Sequence, residues 1–85
     1  MTKKYSVLYI LLMSYSRLHN NLRAWRKSAG GLTQQELAEK AGVTRQSIIS
    51  IERGKYRPGV ELALKLARVL GCRVEDLFEL KEEGA

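Results

Sequence analysis

One stretch of twenty residues constrains this chain more than any other: residues 34–53, QQELAEKAGVTRQSIISIER. Apolar residues recur there at helical spacing on both sides of a single glycine, Gly42. Two helices that meet at a sharp turn need a small residue where their backbones cross, a glycine where the turn takes positive φ, and apolar residues to join the pair. Ala38 is the small crossing residue, Gly42 sits at the turn, and Leu37, Ala41, Val43, Ile48 and Ile51 supply the seam. Arg45, Gln46, Ile49, Ser50 and Arg53 fall between the seam positions and are left facing outward. Thr33 with Glu36 three residues later makes a capping box for the first of the two helices, and Thr44 with Ser47 caps the second.

Helical signals continue on either side. Asn20 or Asn21 can cap a helix that begins at Leu22, with Leu22, Trp25 and Ala29 on one face and Gly30–Gly31 ending it. After Gly54, residues 55–59 (KYRPG) read as a loop, because Pro58 disfavours helix at Arg57 and Gly59 is a tolerable N-cap for a fourth helix. Leu62, Leu66, Ala67 and Leu70 make the buried stripe of that helix, which Gly71 ends. Val74, Leu77 and Phe78 fit a last short helix with Glu75 and Asp76 in its first turn, where carboxylates suit the helix dipole. The expected fold class is all-α with five helices. The chain divides into an apolar extension (1–19), a helical domain (20–80, with the central motif at 34–53) and a polar tail (81–85).

The extension contains a continuous apolar run, residues 7–13 (VLYILLM), behind Lys3 and Lys4. It resembles the front of a secretory signal, but no small-residue cleavage site comes after it, and it is well short of the roughly 20 residues that span a bilayer. Neither export nor anchoring is expected, which points to the cytoplasm and to no membrane partner. Three readings stay open, in this order: a strand or helix that covers the domain or pairs with a second chain, a membrane-surface segment, and sequence upstream of a start at Met13.

Charge is unevenly distributed over the 85 residues, whose net charge is +6. Residues 1–35 hold six bases and no acid, residues 36–59 five bases and three acids, and residues 60–85 four bases and six acids. A positive N-terminal two thirds suits a polyanion, since neutralising phosphates releases counterions. Cys72 is the single cysteine, so no disulfide can form within the chain, and with His19 as the single histidine the usual metal spacings are absent. No cofactor or metal is implied. No cluster supports nucleophilic, metal or paired-carboxylate catalysis, so an enzyme is not expected. His19 is read as a surface residue and Cys72 as a partly buried small hydrophobe.

The segments LTQQELAEKAGVTRQSI (32–48), IERGKYRPG (51–59) and LALKLARVLGCRVEDLF (62–78) together resemble the Cro/CI-type helix-turn-helix regulators, the family of phage repressors and xenobiotic-response-element transcription factors. The resemblance covers about residues 22–80. It implies five helices, binding to double-stranded DNA operators as a homodimer, and base contacts from the start of the third helix. It further implies Arg45, Gln46 and Ser50 at base edges, and Gln34, Arg53 and Lys55 near phosphates; Ile49 is a further base-edge candidate, and Thr44 and Arg57, flanking the third helix, are further phosphate candidates. It pairs Arg26 with Glu52, tying the first helix to the third. Where the family usually has one glycine before Leu-Thr-Gln, this chain has Gly30 and Gly31. The extra residue must be absorbed by the loop or by rotation of the first helix.

The chemistry of the residues agrees. Arginine reaches guanine O6 and N7 as a bidentate donor, and glutamine pairs with adenine N6 and N7. Ile49, if exposed, can meet a thymine methyl, and packing at the domain edge or in a dimer is an equal alternative. The leading reading is a transcriptional regulator, a repressor acting as a dimer. The rival is a protein-interaction module such as an antitoxin, whose partner would be a toxin or another regulator.

Overall fold

A computed structural model describes residues 18–81 of the chain. Its elements, in order, are β1 (Leu18–Asn20), α1 (Leu22–Ser28), α2 (Gln34–Ala41), α3 (Arg45–Glu52), α4 (Val60–Leu70), α5 (Val74–Leu77) and β2 (Phe78–Leu80). The apolar run at 7–13 and residues 82–85 of the tail lie outside the described residues.

The caps at the centre of the chain form as their sequence requires. The Thr33 hydroxyl accepts from the Glu36 N–H at 3.0 Å while the Glu36 carboxylate accepts from the Thr33 N–H at 2.8 Å, which satisfies two otherwise orphaned donors. Thr44 Oγ1 accepts from the Ser47 N–H at 3.1 Å to open α3. Between α2 and α3, Gly42 is left-handed (φ 74°, ψ 32°), and the next N–H, that of Val43, returns to the Ala38 carbonyl at 2.9 Å. The turn closes on the small residue at the crossing.

The core is built from Leu22 of α1, Leu37, Ala38 and Ala41 of α2, Ile48 and Ile51 of α3, Leu66, Ala67 and Leu70 of α4, and Leu77 of α5. On α4 the innermost row is Ala63, Leu66, Ala67 and Leu70, while Leu62 is only half-buried. Trp25, Val43 and Phe78 pack around this centre.

Of the two asparagines expected to cap α1, Asn20 alone binds a helical N–H, and the expected end of the last helix is corrected. Asn21 stands at the N-cap of α1, but its side chain makes no cap bond; its Nδ2 donates to the Asp76 carbonyl at 3.2 Å. The neighbouring Asn20 accepts from the Leu22 N–H at 3.2 Å and donates to the Ile51 carbonyl at 2.9 Å. Both asparagines therefore staple the start of α1 to the ends of α5 and α3. Phe78 is not in the last helix. Its backbone is extended (φ −129°, ψ 135°), and it begins β2, which pairs antiparallel with β1 in the register Leu18↔Leu80, His19↔Glu79 and Asn20↔Phe78. A four-residue helix has little cooperative hydrogen bonding to extend it, whereas the ladder gives these backbone groups partners at once. The ribbon adds to the five helices and brings Leu18 and His19 into the fold. His19 is exposed and Cys72 half-buried.

Candidate nucleic-acid interface

The outer face of α3 carries the side chains that the helical spacing turned outward. Arg45, Gln46 and Arg53 are exposed, and Ile49 and Ser50 are half-buried. Gln46 Nε2 donates to Ser50 Oγ at 3.3 Å, one turn along the same face. The Ser50 carbonyl accepts from the N–H groups of Lys55 and Tyr56, at 2.9 and 3.3 Å. That pair of bonds folds the loop back against the end of α3, with Lys55, Tyr56 and Arg57 exposed beside it. Thr44 engages its hydroxyl in the cap, where Ser47 Oγ also lies 3.1 Å away.

Behind this face is a nearly buried charge network. Arg26 Nε meets Glu52 Oε2 at 2.7 Å and Arg26 Nη2 meets Glu52 Oε1 at 3.2 Å, with side-chain exposures of only 10% and 7%. Arg26 Nη1 donates to the Leu32 carbonyl at 2.8 Å, and Gln34 Nε2 adds a bond to Glu52 Oε1 at 3.1 Å. A fork-to-fork pair with its remaining donors and acceptors satisfied is the arrangement in which charge tolerates burial. It fixes α1, the head of α2 and the end of α3 to one another. The extra glycine is absorbed in the loop: Gly30 and Gly31 are both left-handed (φ 81° and 72°), and the Leu32 N–H still reaches the Arg26 carbonyl at 3.1 Å. Gln34 thus turns its amide inward to Glu52, with one N–H of that group engaged.

The network floors an open groove of about 670 Å³ between α1, the N-terminal end of α2 and α3. Five bases line it, Arg23, Arg26, Lys27, Arg45 and Arg53, against one acid, Glu52. Among the described residues, Arg23, Lys27, Arg45 and Arg53 form no ion pair, and Glu52 is already held by Arg26. Arg23 and Lys27 were legible only as part of the positive N-terminal charge. Their i, i+4 spacing was the available signal for a shared face.

Among the described residues no cluster of His, Cys, Asp or Glu side chains gathers at metal-binding distance, and no helix is long and apolar enough to cross a membrane. Burial, and secondarily the Asp76 carboxylate, push the Cys72 thiol up, so it stays a neutral, weakly reactive group at neutral pH.

The helix-turn-helix family HTH_3 matches residues 22–77. An uncharacterized HTH-type transcriptional regulator of Methanothermobacter thermautotrophicus is 54% identical over 65 residues, spanning 75% of this chain and 93% of the relative. Among solved structures, the clp gene regulator ClgR of Corynebacterium glutamicum is similar at a TM-score of 0.61 and 34% identity, over 65% of this chain and 57% of that one. This chain therefore spans little more than half the length of ClgR. SinR of Bacillus subtilis, a master regulator for biofilm formation determined in complex with DNA, is similar at a TM-score of 0.59 and 36% identity, over 64% of this chain and 86% of that one. The family is one of DNA-binding regulators and not of enzymes. By matched residues, by relatives and by fold, the chain belongs to the helix-turn-helix transcriptional regulators of the Cro/CI type.

Proposed function

We propose that this protein is a sequence-specific repressor that binds a near-palindromic operator in double-stranded DNA as a homodimer, with α3 in the major groove. The observation that carries the reading is the exposed start of α3. Arg45 and Gln46 stand there free of carboxylate partners among the described residues, on a helix held from behind by Arg26, Glu52 and Gln34. Arg45 and Gln46 read base edges, with Ser50 and Ile49 one turn further on. Arg53, Lys55 and Arg57 hold phosphates at the far end of α3, and Gln34 and Thr44 do so at the heads of α2 and α3. Occupying a site that overlaps a promoter is sufficient for repression, and the work is done where the DNA is, in the cytoplasm.

The homodimer reading has its own support. Away from the basic groove, an apolar depression of about 640 Å³ is lined by Leu18, Val60, Ala63, Leu64, Val74 and Phe78, among others. Val60 and Leu64 are 77% and 53% exposed, one helical turn apart on α4. This face contains no residue of α3 and shares none with the groove, so a second copy seated on it covers the lining of neither.

The test is binding to a duplex recovered by selection, compared with a random duplex of equal length. Arg45→Ala and Gln46→Ala are expected to cost about 1 to 3 kcal/mol on the selected duplex and to relax preference at one base position each, with random DNA bound nearly as before. If both substitutions leave binding to either duplex unchanged while a protein partner is lost, the interaction-module reading replaces this one.

A further inference from the structure

The positive charge of the groove is divided between two walls. On the α3 side stand Arg45 and Arg53; on the α1 side stand Arg23 and Lys27. The latter two are four residues apart, so they share one exposed face of α1, while Leu22 and Arg26, also four apart, point into the fold. The one carboxylate in the groove is neutralised by a bidentate arginine beneath it. Four cations thus face one another across a channel whose floor is already satisfied. A solvated charged surface would intersperse both signs, whereas α1 carries Arg23, Arg26 and Lys27 and no acid at all.

We infer that Arg23 and Lys27 form a second phosphate-binding wall, so that the groove between α1 and α3 seats the sugar–phosphate backbone of one DNA strand beside the bases that α3 reads. The inference rests on the proposed DNA reading and extends it to a helix that makes no base contact. Its ligand is the phosphodiester chain, so its contribution is independent of sequence and sensitive to salt. It also gives the Arg26–Glu52 pair a further consequence: the pair sets the separation of the two walls as well as the pose of α3.

The experiment is fluorescence anisotropy at several salt concentrations, with the selected operator duplex and a random duplex of equal length as probes. Arg23→Ala and Lys27→Ala are each expected to weaken both duplexes by the same factor and to lower the slope of log affinity against log salt by about 0.9, the double variant by about twice that. For one such contact, a fourfold rise in salt changes affinity by roughly 3.5-fold. Arg23→Lys and Lys27→Arg should keep the slope. Lys65→Ala, which removes one charge from α4 away from the groove, should leave it unchanged. The inference is overturned if Arg23→Ala and Lys27→Ala keep the unmodified slope, or if Lys65→Ala lowers it equally, since the effect is then one of net charge alone. Failure of the unmodified protein to bind either duplex at low salt would instead end the DNA reading itself.

Discussion

Glu52 is a carboxylate with 7% of its side chain in contact with solvent, and Arg26 and Gln34 supply three hydrogen bonds to it. Removing one partner leaves the other charge buried and uncompensated, which costs far more than the pair contributes net. Arg26→Met is therefore expected to destabilise the fold by about 3 to 5 kcal/mol in urea unfolding. A cost under about 1 kcal/mol would mean that the pair is solvated in solution. The pairing spans 26 residues of sequence, and neither periodicity nor charge spacing could have joined its members. Only the resemblance to a family did so. Arg45 and Lys55 are different in kind, each exposed and legible from its place on or beside α3. Lys55→Ala should weaken operator and random duplex alike, reducing the salt slope by about one ion, where Arg45→Ala should weaken the operator selectively. Equal losses on both duplexes from both substitutions would show that α3 reads no bases.

At the scale of the elements, the caps and the turn were legible because their physics is local. Thr33 and Glu36 need only be three residues apart to satisfy each other, and Gly42 need only tolerate positive φ. Thr33→Ala should cost about 1 kcal/mol, roughly 4 to 8 °C in melting temperature for a domain of this size. Gly42→Ala meets open space around the added methyl, so its cost is purely conformational, about 1 to 2 kcal/mol. A neutral Gly42→Ala in thermal melts would contradict the left-handed turn. The ribbon was not legible for the converse reason. LHN and FEL are three residues each, too short to show a period of two, and each is stabilised by the other from the far end of the chain. The same distance hid part of what the asparagines do: Asn20 meets the Leu22 N–H locally, as its chemistry predicts, while its amide and that of Asn21 donate to Ile51 and Asp76, which only the folded domain brings near.

The described residues present two surfaces of opposite character. One is a groove with five bases and a single neutralised acid; the other is an apolar face on α4 and the ribbon. The imbalance of charge along the sequence anticipated the first, since the acids cluster after residue 59. It could not say which bases share a groove, because that depends on how α1 is set against α3. The apolar face went unread because Val60 and Leu64 fall outside the stripe of Leu62, Leu66, Ala67 and Leu70, and two apolar residues one turn apart do not reveal in sequence that Leu18 and Phe78 lie beside them. If that face joins two copies, Leu64→Lys should yield a folded monomer by sedimentation and cut operator affinity sharply, while an unaltered dimer would place the interface elsewhere. Whether α3 reads a DNA sequence is decided by selecting bound duplexes from a random pool. The expected outcome is enrichment of a near-palindrome with half-site centres about 34 Å apart, one base position of which loses its preference when the selection is repeated with Arg45→Ala. A pool that shows no enriched sequence, or the same enriched sequence with Arg45→Ala, would contradict it.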